Sequence, residues 1–120
     1  MPRILLALIA SLAFSGSAFA LDSSDADLAL AQAERAVQAA ERDDAARYAP
    51  ADLATARALL LAARDAYDDR EWTDSVLDAE RAQADGDLAA ARSRQFRAEA
   101  ATAEIERSVE ALRTEMGELR

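Results

Sequence analysis

Apolar positions recur at helical spacing along almost the whole chain. Leu30, Ala33, Val37 and Ala40 are separated by 3, 4 and 3 residues. Leu53, Ala56, Leu60, Ala63 and Tyr67 follow at spacings of 3, 4, 3 and 4. Trp72, Val76 and Ala79 open a third pattern, which Ala82, Ala89 and Ala90 carry onward. No window alternates apolar and polar residues as a half-buried strand would. The pattern predicts an all-α fold with three helices, at about 24–46, 50–68 and 72–117.

The punctuation between these stretches is explicit. Ser24 is a candidate cap for the first helix, with Asp27 as its capping-box partner and Asp25 near the positive helix end. Pro50 suits the first position of the second helix, where its missing N–H would have no intrahelical partner. Ala49, before a proline, is excluded from the helical region, so the first helix cannot run through it. Asp52 then falls where its carboxylate can reach back to the cap, and Tyr48 and Leu53 occupy the two positions of a hydrophobic staple. Asp68, Asp69, Arg70 and Glu71 make a second corner, and Trp72 opens the third helix. Gly86 is a weak point there, since a mid-helix Gly costs roughly 1 kcal/mol relative to Ala. The apolar pattern continues on both sides of it and predicts one unbroken helix.

The last quarter differs in kind. Ile105, Val109, Leu112, Met116 and Leu119 are spaced 4, 3, 4 and 3, an a/d seam flanked by Glu and Arg. The third helix would run roughly 65 Å, about twice the length of either other helix. Its first half can pack on them in an antiparallel three-helix unit. Its second half has no partner within the chain, so the seam calls for another chain, of its own kind or a different one.

The first twenty residues stand outside this scheme. Arg3 is followed by an uncharged apolar run from Ile4 to Phe14 and then by Ala18-Phe19-Ala20. That is the form of a cleaved signal peptide, with Leu21 the first residue of the remaining single domain, 21–120. Eleven apolar residues are too few to span a bilayer, which takes roughly 20. No stable membrane insertion is therefore expected after cleavage. No Cys follows the apolar run, so lipid attachment is not expected. The chain reads as a periplasmic protein of a Gram-negative bacterium.

From Leu21 onward, thirteen Arg face twenty-three acidic residues, a net charge of −10. That sign argues against nucleic acid or an anionic lipid surface as partner. Twenty-eight Ala in these hundred residues favour helix, and they predict a thin core that buries little area per contact. With no His and no Cys, the chain offers no zinc cluster, thiol nucleophile or imidazole base. No Gly-rich phosphate loop or nucleophile-elbow pattern is present either. No enzyme, cofactor, metal site or small-molecule site is expected.

Three clusters have competing readings. Asp65, Asp68, Asp69, Glu71 and Asp74 have calcium's ligand type but not the EF-hand spacing or its Gly, and they suit a solvated turn better. Trp72 suits a packing plug between helices better than a ligand platform, and Tyr67, on the second helix, is read as a packing residue as well. Phe96, among Arg92, Arg94 and Arg97, lies off the seam, either as a contact residue or as ordinary surface.

Residues 39–94 resemble an uncharacterised family of bacterial envelope domains with a "YAP-x-x-L-x-x-A" corner. Tyr48, Ala49, Pro50, Leu53 and Ala56 carry the resemblance. Trp72, in place of the usual Tyr, Ala79 and Ala82 extend it. The resemblance implies a helical domain of the periplasm or outer membrane; members are often lipoproteins or precede OmpA-like peptidoglycan-binding domains. This sequence has no Cys to acylate and no second domain is expected after the third helix, so attachment to the envelope is not carried over. The second and third helices also look similar to a tetratricopeptide-type pair. Together these readings predict a non-enzymatic structural or interaction protein that associates with itself or a protein partner through the C-terminal helix. The alternative is an envelope binding module for peptidoglycan, a metal ion or an outer-membrane protein.

Overall fold

The computed structural model describes residues 20–119. Most of the expected signal segment, Ala18 included, lies outside the described residues. Among those described there are four helices and no strand: α1 (Ser23–Arg42), α2 (Ala45–Tyr48), α3 (Pro50–Asp68) and α4 (Trp72–Glu118). The all-α fold with a long C-terminal helix follows the helical periodicity.

The first helix is capped two positions ahead of the expected Ser24–Asp27 pair, by Asp22 with Asp25. The Asp22 carboxylate accepts from the N–H groups of Ser24 and Asp25 at 2.9 and 3.1 Å, and Asp25 accepts from the Asp22 N–H at 3.0 Å. A carboxylate satisfies two free donors here and faces the positive helix end, which a Ser hydroxyl does less well. Ala20 and Leu21 lie just before this cap, and Leu21 packs half-buried on the core.

α1 ends at Arg42, four residues short of its expected end. The chain turns at Asp43-Asp44, where Asp44 is left-handed at φ 64° and ψ 36°. Asp tolerates that region better than most residues because its short side chain can bond locally. A single turn, α2, fills the gap before Ala49 leaves the helical region at φ −143° and ψ 54°. Pro50 then starts α3 as its first residue.

α3 closes with a Schellman motif. The Glu71 N–H donates to the Ala66 carbonyl at 2.8 Å and the Arg70 N–H to that of Tyr67 at 3.0 Å. Arg70 holds the left-handed position, φ 59°, that glycine usually fills. α4 begins directly afterwards at Trp72 and runs unbroken through Gly86.

Cross-helix contacts fix the topology. Glu41 and Glu34 of α1 accept from Arg57 and Arg64 of α3, at 2.6 and 2.7 Å, so these helices are antiparallel. The Ser75 Oγ of α4 donates to the Ala63 carbonyl of α3 at 2.8 Å, and Arg92 pairs with Asp52 at 2.7 Å, again antiparallel. Ala36 meets Gly86 and Asp43 meets Arg94, so α1 and α4 run parallel.

The core is made almost wholly of small side chains. Fourteen of the eighteen buried apolar residues are Ala, and Leu53 is the largest side chain fully buried. On α4 the contact face is Ser75, Ala79, Ala82, Gly86, Ala89 and Ser93, at spacings of 4, 3, 4, 3 and 4. Nothing larger than Ser occupies that seam, so the helix backbones lie close together. A Cβ built on Gly86 would stand 3.0 Å from the Ala36 carbonyl carbon and 3.1 Å from the Val37 nitrogen. Gly86 is therefore the residue that lets α1 reach α4, rather than a weak point in the helix.

Candidate functional site

α4 outlasts the bundle. Ser93 is its last buried residue, and every described residue after it is exposed. The projecting part, to Glu118, measures about 38 Å at the α-helical rise. Its internal support is local. Thr102, Ser108 and Thr114 hydroxyls donate to the carbonyls four residues earlier, and Arg107 pairs with Glu104 at 2.8 Å.

Ion pairs brace the point of departure. Arg92 donates to both oxygens of Asp52, at 2.9 and 2.7 Å. Arg94 donates to Asp43 at 2.9 Å, with Arg97 on the same carboxylate at 4.0 Å. The basic residues around Phe96 thus meet acids presented by the α1–α3 corner, and Phe96 itself is 44% exposed. Asp52 serves Arg92 instead of the α3 cap. The Ala49 N–H it was expected to reach is taken by the Ala45 carbonyl at 2.9 Å, and a charged donor makes the stronger bond.

The remaining corner residues divide between core and surface. Leu53 is buried. Tyr48 is half-buried and lines a shallow groove with Asp43, Arg94 and Arg97, its ring 5.1 Å from the Arg47 guanidinium carbon. At the opposite end, Tyr67 and Trp72 pack edge to face, centroids 5.2 Å apart, against the core. A hydrogen bond to the Asp27 carboxylate raises the Tyr67 hydroxyl pKa above its ordinary value, helped by desolvation and by the charges of Asp27 and Asp68. Asp65, Asp69, Glu71 and Asp74 line an open groove with Leu77 and Arg81. Among the described residues no three acids stand close enough together to hold a metal ion.

The seam residues all face solvent. Ile105 is 63% exposed, Val109 42%, Leu112 59% and Met116 64%, and Leu119 is exposed at the helix end. No helix of the described residues is long and apolar enough to cross a membrane.

The seam does not stop at Ile105. Counting back in the same heptad register passes Thr102, Ala98, Gln95, Ala91, Leu88 and Ala84, all exposed. The stripe from Ala84 to Leu119 spans 36 residues, five heptads, whereas the large apolar residues alone span barely two. This register is offset by two residues from that of the buried face, Ser75 to Ser93. Two residues turn a helix by about 200°. α4 thus carries two opposed seams, one closed by α1 and α3 and one open. Sequence reading found only the distal part of the open seam. The signal for the rest is Leu88, an apolar residue off the core pattern and in phase with Ile105.

No protein-family model matches the chain, and no curated protein or solved structure is significantly similar to it.

Proposed function

We propose that the protein is a non-enzymatic interaction protein of the bacterial envelope that works through helix–helix contacts made by the open face of α4. The observation that carries this reading is the exposure of Ile105, Val109, Leu112 and Met116 along one side of a projecting helix. Apolar residues in an unbroken row cost little in a helix that a partner covers and invite association where none does. The three-helix body serves as a foot that holds the helix upright, and the Arg92–Asp52 and Arg94–Asp43 pairs fix its base. Placement in the periplasm rests on the residues around Ala18, Ala20 and Leu21, whose small-x-small pattern suits removal of the leader. The resemblance of the Tyr48–Pro50–Leu53 corner to envelope domains agrees with that compartment.

A photo-crosslinking side chain placed at Leu112 in living cells tests the reading. It should give a discrete adduct of higher mass, and the same probe at Arg107, on the outer face, should not. Absence of any adduct at both Leu112 and Val109 would overturn it.

A further inference from the structure

Resting on that reading of the open seam, we infer that its occupant is the same seam of a second copy of this chain, in a parallel, in-register, two-stranded coiled coil. Five heptads exceed the three or four that sustain such a pairing. Within the stripe, Gln95, Thr102, Val109 and Met116 hold a positions, and Ala98, Ile105, Leu112 and Leu119 hold d positions. Val109 at a followed by Leu112 at d is the combination that favours two parallel strands.

The polar residues select the orientation. In a parallel, in-register pair, a faces a, so Gln95 meets Gln95 and Thr102 meets Thr102, and each can bond its twin. In an antiparallel pair, a faces d. Every d position from Ala84 to Leu119 is apolar, so Gln95 and Thr102 would each be buried against an apolar side chain without a partner. A polar a position specifies register in this way.

Charge agrees with the same arrangement. In a parallel pair each g residue faces the e residue five positions on in the other strand. Asp87 then faces Arg92 and Arg94 faces Glu99, both of opposite sign. Ala101 faces Glu106 and Ser108 faces Arg113, with no like-charge contact between Asp87 and Arg113. Arg92 and Arg94 remain 50% and 62% exposed while bonded to Asp52 and Asp43, so further N–H groups are open to a second acid.

Space agrees as well. Ala84, Leu88, Ala91, Gln95, Ala98 and Thr102 are all exposed, so α1 and α3 leave these positions of α4 open to a second helix. The two bodies would stand back to back at one end, with the paired helices projecting together.

The chain has no Cys, so single-Cys variants report orientation cleanly. Sedimentation equilibrium of the purified chain should give twice the monomer mass. Under mild oxidation Ala98→Cys, at a d position, should form a covalent dimer at least about tenfold faster than Ala103→Cys, which lies off the stripe. Unchanged helical circular dichroism keeps both variants comparable with the parent. A dimer that crosslinks at neither position overturns the parallel register, because in an antiparallel pair Ala98 faces an a position and not its twin, and the two Cβ atoms lie beyond the roughly 4 Å that a disulfide needs. A trimer or larger species overturns the two-stranded form. A monomer at high micromolar concentration overturns the second copy as partner. If Leu112 still gives an adduct with a different protein in cells, the interaction reading stands without this inference.

Discussion

The carbonyl carbon of Ala36 lies 3.0 Å from where a Cβ on Gly86 would be. Helix propensity alone favours Gly86→Ala by about 1 kcal/mol. The atoms in the way are α1 backbone, however, and backbone in a packed helix cannot swing aside. Overpacking of this kind costs about 1–3 kcal/mol, so Gly86→Ala should lower stability. Gly117→Ala, with nothing within 4 Å, should leave it unchanged or slightly raised. Chemical denaturation of both variants checks the contrast, and a stabilised Gly86→Ala would show that α1 can give way.

Arg70 sits at φ 59° in the Schellman position that closes α3. An L-residue there carries about 1–2 kcal/mol of steric cost, partly offset in glycine by the greater freedom of the unfolded chain. Arg70→Gly should therefore raise the stability by about 0.5 kcal/mol, seen as a higher denaturation midpoint with unchanged slope. Arg70→Val should lower it, since a β-branched residue suits that region least.

Asp27 on α1 favours the protonated phenol of Tyr67 on α3. The folded pKa of Tyr67 is raised above 10.0. The stabilisation is therefore fully present below the unfolded value and is lost as pH rises through the folded one. Thermal melts should show the parent losing stability above pH 10, with Tyr67→Phe losing less over the same range. Equal slopes for the two proteins would remove Tyr67 from the alkaline transition.

Leu53 is the one large apolar side chain fully buried in a core built mostly of Ala. Leu53→Ala should cost about 2–5 kcal/mol, most of what a small domain has. The variant's bundle should be largely unfolded at room temperature by near-ultraviolet circular dichroism at Tyr67 and Trp72. A cooperative melt close to the parent's would mean that the corner repacks.

Local rules carried the reading of the fold wherever a residue governs its own neighbours. Pro50 and Ala49 set the start of α3, and the apolar positions around Gly86 kept α4 whole. Distant pairings were harder. Asp52 and Arg92 are forty residues apart, and only the antiparallel packing of α3 on α4 reveals that they meet. Asp43-Asp44 ends α1 before Pro50 can, because a left-handed Asp needs no proline to break a helix. Gly86 read as a defect, since a sequence does not show which backbone passes beside it. The open seam was legible where its residues are large and hidden where they are Ala, because an Ala on one face of a helix resembles an Ala on any other.

A contact face of Ser75, Ala79, Ala82, Gly86, Ala89 and Ser93 also sets how this bundle can change over time. Substitution in most cores removes volume and leaves holes. Here almost nothing can be removed, and nearly every single-base change at these positions adds atoms between two backbones. Drift along this seam is thus confined to exchanges among the smallest residues, while the outer half of α4, exposed along its described length, can vary in size freely until a partner fixes it.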